Sequence, residues 1–420
     1  MTPMQTAIGP SGCPIHFDPL SPEQLADPYP TYSRLRDEQP VFYSAPHDMY
    51  IVTRYDDVLA VLKDHESFSS QNSVRSSLAP YAPEVTAVLA QGFPLSPTLT
   101  DSDEPLHRRL RGLVNKAFTN QRIAALEPSI RDISAELIDG FRDKGQADLI
   151  DEYAWSLPVR VIAEMLGVPG EDIASMHTWS YHWLQLLQAT DPVEDQVRYA
   201  QSVVDMQHYF LDALEERRAN PRDDLMSALL ASWNDRNPDD TAMDMVEVMR
   251  VPMNLVIAGH VTVTRAIGNG VVLLCERPDV AARMATDPEV VSGVVEEILR
   301  LESPAQGLFR TVVREVQVGD AVLPVGARVM VHYAAANRDV AKFVDPQELD
   351  PHREGIQRHV AFGKGIHVCL GAPLARLELR VALPMLLERL PNLRLAGAGD
   401  RDVIFFARGF RHLPVAWDVH

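Results

Sequence analysis

The period of the apolar positions changes along the chain, and the changes mark out its elements. Near the N-terminus MYIVTRY (49–55) alternates apolar and polar side chains as a strand does, and DDVLAVLKDH directly after it places Val58, Val61 and Leu62 at helical spacing. Upstream, DPYPTYSRLRDEQPVFY reads as a proline-opened helix running into a strand, so a small sheet is predicted here. From Pro105 to about Leu301 almost every stretch has helical period, as in IRDISAELIDGF and MQHYFLDALEERR, with breaks at prolines and acidic turns such as NPRDD. Between Arg310 and His332 the period falls back to two, in runs around turns at Gly319 and Gly326, and helical spacing resumes after Cys369. The pattern predicts a mainly α fold with a minor β part. Residues 1–20, rich in Pro, Gly and Ser, read as a flexible tail; with no repeat or long linker, 21–420 read as a single domain.

At 420 residues, 46% hydrophobic and 23% charged, the chain has globular composition and the length to bury a large core. Its 58 acidic against 39 basic side chains leave a formal charge of −19, which repels nucleic acid and suits a small apolar substrate better. Cys13, Cys275 and Cys369 are odd in number, widely spread and without C-x-x-C spacing, the usage of a reducing, cytoplasmic protein. The segment MTPMQTAIGPSGCPIHF lacks the basic and apolar regions of an export signal. The longest apolar stretch, around 251–259, is about half of the ~20 residues that span a bilayer. Neither nucleic acid nor membrane is expected as a partner.

The candidate chemistry is concentrated in AFGKGIHVCLGAPLARLELR (361–380), where a lone cysteine is bracketed by Gly363, Gly365 and Gly371 and followed at once by helical spacing. Glycines there let the backbone approach something flat. A thiolate at a helix start is stabilised by free N–H groups and the positive dipole end, which makes Cys369 a candidate metal ligand.

FGKGIHVCLG resembles the haem-binding signature of the cytochrome P450 superfamily. The resemblance implies a helical bundle around haem b with small β-sheets, and makes Cys369 the proximal thiolate ligand of the iron. Phe362 then packs over the sulfur, with Gly363 and Gly371 beside it, and His367 reaches a haem propionate. Further matches lie elsewhere. Glu297 and Arg300 in VVEEILRLESP, with Arg353 in PQELDPHRE, fit the family's buried ion-pair triad. In DSDEPLHRRLRGLVNKAF, His107 and Arg111 share one helical face by their i, i+4 spacing, and with Arg310 and His367 they are the expected propionate contacts.

The family's distal helix carries A-G-x-[E/D]-T; here it reads Ala258, Gly259, His260, Val261, Thr262. The alcohol is kept and the acid is replaced by valine, so the groove for O₂ is expected without its usual carboxylate. His260 is a candidate substitute, and Pro252 is expected to kink the helix two turns earlier. By family position the pocket draws on 71–99, 179–187, 256–262, 305–309 and 405–410. Trp179, Trp183, Phe309, Phe405 and Phe406 are candidate ring-stacking residues, and Arg75 and Arg408 candidate partners for a substrate carboxylate. Arg108, Arg109, Lys116, Arg358, Lys364 and Arg376 suggest a basic proximal face for a ferredoxin or flavodoxin.

The expected function is a soluble monooxygenase that hydroxylates or dealkylates a small to medium apolar molecule with O₂ and electrons from a separate protein. Val261 leaves open a P450-type enzyme of other chemistry: peroxide-driven oxidation, coupling or isomerisation. A non-catalytic haem- or substrate-binding protein is the remaining alternative.

Overall fold

A 32-residue helix, Met245–Glu276, runs through the middle of the molecule. Asp244 caps it by accepting a hydrogen bond from the Glu247 amide at 2.8 Å. Pro252 lies inside this helix, which continues through it. The helix is long and apolar enough to cross a membrane, yet most of its apolar stretch is buried inside the protein. Its apolar surface faces other helices, chiefly Ser156–Leu166, Val193–Ala219, Pro288–Leu301 and Ala372–Arg389. Two glycines let neighbours in close: a Cβ at Gly268 would meet Ile150 Cδ1 at 3.0 Å, and one at Gly270 would meet Ile298 Cδ1 at 3.3 Å.

The structure, a computed structural model, describes residues 15–76, 78–234 and 244–419. Its largest sheet has five strands in the order Val41–Ser44, Met49–Val52, Arg328–Val331, Leu308–Val312, Phe68–Ser69. Met49–Val52 runs parallel to Arg328–Val331 and the other pairs are antiparallel, with Arg310 opposite Val329. This sheet joins two distant parts of the chain and brings Arg310 to the rim of the central cavity.

Two features escaped the pattern. Gln146–Asp148, within a stretch read as helical, is a strand paired with Pro414–Ala416; three residues are too few to display a period. The expected tail also packs sooner than residue 21. Phe17 is buried, edge-on to Phe42 at 5.9 Å and Phe405 at 6.5 Å, so one aromatic ring anchors a segment whose composition reads as loose. Residues 1–14, with Cys13, lie outside the described residues.

Candidate haem-thiolate site

The cysteine loop is shaped by backbone that glycine alone adopts readily. Gly363 and Gly365 have φ of 67° and 76°, and a Cβ at Gly365 would lie 2.4 Å from the Leu62 carbonyl oxygen. The loop is thereby pressed against the helix Tyr55–Lys63. The Cys369 amide donates to the Phe362 carbonyl at 2.9 Å and closes the loop just before the helix Ala372–Arg389.

Cys369 opens onto a cavity of about 320 Å³. Protein encloses the sulfur otherwise, and this burial pushes its thiol pKa up, against the Gly371 and Ala372 amides and the Arg111 and Arg376 charges, which pull it down. Burial outweighs these pulls, and a cation on the sulfur would favour the thiolate. Phe362 lines the cavity beside it, with the Arg376 guanidinium 4.5 Å from its ring centroid. Gly363 and Gly371 line it too.

Four nitrogen-bearing side chains meet at the cavity edge. The His107 and His367 rings lie 4.0 Å apart, with Arg111 and Arg310 beside the same cavity. Burial and then the charges of His107, Arg310 and Arg111 push His367 down to about 3; burial also lowers His107, opposed by Glu104. Arg111 donates to the Val368 carbonyl at 2.8 Å and Arg310 to the Phe309 carbonyl at 2.8 Å. Both ring nitrogens of buried His107 lack a hydrogen-bond partner among the described residues. Such a set of donors is a cradle for an anion. A thiol on one wall, an apolar slot and an anion cradle at the edge fit haem with its two propionates.

Ala258, Gly259, Val261 and Thr262 of the central helix line the same cavity. The Thr262 hydroxyl donates to the Ala258 carbonyl at 3.2 Å, which leaves its lone pairs as acceptors. Gly259 admits a neighbouring helix: a Cβ there would meet Ile162 Cδ1 at 3.3 Å. Val261 packs with Leu184, Ile404 and Ala407 in an apolar cluster. His260 does not substitute for the missing acid. It is fully buried on another side of the helix, its Nδ1 2.7 Å from the Val256 carbonyl and Nε2 3.3 Å from Ser180 Oγ. Its ring centroid lies 4.8 Å from that of Trp155, and burial pushes its pKa down to about 3.

The aromatic candidates divide. Trp183 and Phe406 line the cavity. Phe309 and Phe405 do not: along Leu308–Val312 successive side chains face opposite ways, so Leu308 and Arg310 line the cavity while Phe309 points behind the sheet. There Phe309 packs on Phe405 at 5.9 Å and under the Arg328 guanidinium at 4.8 Å. Trp179 packs against Tyr209. Arg408 is buried on Glu302 at 3.1 Å and on the Leu25 and Ala26 carbonyls, and Arg75 donates to the Ala79 carbonyl, so neither lines the cavity.

Glu297, Arg300 and Arg353 are brought together behind the loop. Arg300 contacts both Glu297 oxygens, at 2.6 and 2.8 Å, and Arg353 Nε donates to Oε1 at 3.1 Å. Further guanidinium hydrogens go to the carbonyls of Asn337, Pro346, Glu348, Val344 and Asp345. A second buried network went unread in the sequence: Arg376 grips Glu296 at 2.6 and 2.9 Å, and Glu296 pairs with His359 at 2.8 Å. Arg376 is therefore not a free charge of the proximal face. Arg109 lies 4.0 Å from Glu247, and Arg108, though exposed, 3.1 Å from Glu104.

Fold and site together define a haem-thiolate oxygenase, and the chain belongs to the cytochrome P450 superfamily: residues 171–393 match its family model, described as Cytochrome P450. It is 38% identical over 401 residues to Cytochrome P450 107B1 of Saccharopolyspora erythraea, covering 93% of this chain and 95% of that protein. It is 36% identical over 404 residues to 6-deoxyerythronolide B hydroxylase of the same organism, covering 93% and 96%. The solved structure of CYP109Q5 from Chondromyces apiculatus matches with a TM-score of 0.84 and 38% identity, over 96% of this chain and 98% of that one. The chain is an oxidoreductase of the P450 monooxygenase type, and the family's cofactor is haem b on a cysteine thiolate. Bacterial members work with a substrate, O₂ and redox partners.

Proposed function

We propose that residues 21–420 act as one soluble, cytoplasmic catalytic domain that hydroxylates or oxidatively dealkylates a small to medium apolar molecule. Electrons come from a separate ferredoxin or flavodoxin. The observation that carries this reading is the largely apolar cavity lined by both Cys369 and Thr262. Cys369 would ligate the iron, with Phe362, Gly363 and Gly371 around the sulfur, and His107, Arg111, Arg310 and His367 would hold the propionates. Haem, when bound, supplies the activation of dioxygen.

The protein's own residues control water, protons and position. Leu184, Ile257, Val261 and Phe406 line an apolar wall that favours hydrocarbon over water. The free lone pairs of Thr262 Oγ1 hold a water or substrate hydroxyl near Ala258 and Gly259. With valine at 261 and His260 turned away, the protons pass through pocket water or a polar group of the substrate. Lys364 and Arg108 support docking of an acidic partner on the proximal side.

The replacement of the acid by Val261 also supports a second reading, oxidation driven by peroxide without a redox partner. One experiment separates them: holoenzyme is screened for compounds that shift the Soret band, and each is turned over with a surrogate ferredoxin, its reductase and O₂, or with hydrogen peroxide alone. Product from the first mixture supports the monooxygenase; product from peroxide alone supports the alternative. No product from either leaves a binding protein.

A further inference from the structure

We propose that Asn254 anchors the substrate by donating a hydrogen bond to a carbonyl, or a comparable acceptor oxygen, remote from the carbon that is oxidised. The inference rests on the monooxygenase reading and narrows its substrate class from apolar molecules to apolar skeletons with an acceptor oxygen at the far end.

Asn254 is a polar side chain within the apolar run of the central helix, between buried Met253 and Leu255, and it lines the cavity. Asparagine is a poor residue for a helix interior, so local stability does not account for it. Its amide offers two N–H donors and one acceptor oxygen. The Thr100 hydroxyl donates to that oxygen at 3.0 Å, and no described residue accepts from Nδ2. Thr100 is itself held in place: its amide donates to Thr98 Oγ1 at 3.3 Å and its carbonyl accepts from Ser73 Oγ at 3.0 Å. Thr98 and Ser96 in turn donate to buried Asp101, at 2.6 and 2.5 Å. The loop therefore fixes the amide with its oxygen turned to Thr100 and leaves the N–H pair for the cavity.

Position along the helix sets the geometry. Asn254, Ala258 and Thr262 follow at intervals of four residues and all line the cavity. Eight residues of helix put the amide roughly 12 Å from the threonine. One end of the wall supplies donors and the other the oxygen groove, with Ile257 and Val261 between them. A hydrocarbon lying along this wall strips water from the amide and returns nothing, whereas an acceptor oxygen restores the hydrogen bond. Sites of this kind reject the analogue that lacks the polar group.

The test uses haem-loaded wild type, Asn254→Leu and Thr100→Val, with 2-dodecanone and its hydrocarbon isostere 2-methyldodecane as probes in Soret titrations and in turnover with a surrogate ferredoxin system. Wild type should bind the ketone on the order of tenfold tighter than the isostere. Asn254→Leu should abolish that preference by weakening the ketone alone, and Thr100→Val should reduce it. Across 2-ketones of increasing length, oxidation should stay at a fixed distance from the carbonyl in wild type and scatter in Asn254→Leu. The anchor is overturned if the ketone gives no Soret response, or if the ketone-to-isostere ratio is equal in wild type and Asn254→Leu. Ketone that binds with the stated preference but yields no product in any mixture overturns the monooxygenase reading instead.

Discussion

Arg300 holds Glu297 through both carboxylate oxygens, at 2.6 and 2.8 Å, and neither side chain exposes any surface. Removing the carboxylate would strand one fully buried and one largely buried guanidinium, at a cost of roughly 3–5 kcal/mol. Glu297→Ala should give little folded, haem-loaded protein. Normal haem content and an unchanged melting temperature would show that the three residues are not a structural unit.

Cys369→Ala should lose the thiolate spectrum, because Cys369 is the only cysteine among the described residues that lines the cavity. The ferrous carbon monoxide complex is the measurement. An unchanged Soret position in the variant would exclude Cys369 as the ligand.

The Glu296, His359 and Arg376 network predicts acid lability. Burial opposes the Glu296 charge, but the hydrogen bonds from His359 and Arg376 outweigh it and hold the carboxyl down to about 2. That contribution is present above the ordinary carboxylate range and is lost as the pH falls toward 2. Burial also lowers His359, against the pull of Glu296, so its share is full above the ordinary imidazole range and is lost through its lowered folded value. Both have the same sign. Urea midpoints should fall below pH 7 as His359 takes up its proton and fall further below the ordinary carboxylate range as Glu296 does; Glu296→Gln should lower the midpoint at pH 7 and remove the second, more acidic part of the fall.

Proton delivery is tested at 261 and 262. Thr262→Ala should divert reducing equivalents from product to peroxide, and Val261→Glu should make coupling less dependent on which substrate is bound. The ratio of product to electron donor consumed measures both. Full coupling in Thr262→Ala with no change in Val261→Glu would remove both positions from the proton path.

Reduction by an acidic ferredoxin should slow with added salt, since charges beyond about 10 Å are screened at 0.1 M. Charge reversal at Lys364 and Arg108 should weaken that dependence. A second-order rate indifferent to both changes would place docking elsewhere.

What could be read in the sequence was local. Phe362 to Gly371 could be read because a positive φ needs glycine and a metal-binding sulfur needs a cysteine, and both leave their letters at fixed spacing. His107 and Arg111 could be read because a helix repeats its face every three to four residues. The errors came where facing depends on distant partners. Phe309 is aromatic and adjacent to two cavity residues, yet strand alternation turns it away, and only the pairing with Arg328–Val331 shows which side is which. Arg376 looked like a surface charge because Glu296, eighty positions earlier in the chain, could not be seen beside it. Asn254 did carry a signal, a polar residue inside VPMNLVIAG, but nothing in the string said what it would face.

Gly268 and Gly270 bear on how this enzyme can change. With neighbouring side chains within 3.3 Å of where a Cβ would stand, the central helix has little freedom to slide or turn in its bed. The wall carrying Asn254, Ala258 and Thr262 is therefore a fixed ruler. Val74, Leu95 and Leu99 line the cavity from a different part of the chain, on either side of a short helix, Pro83–Leu89, that packs on Val193–Ala219. Replacements of these three side chains can reshape the chamber while the oxidised position stays in place, so new substrate preferences should accumulate there and leave the central helix untouched.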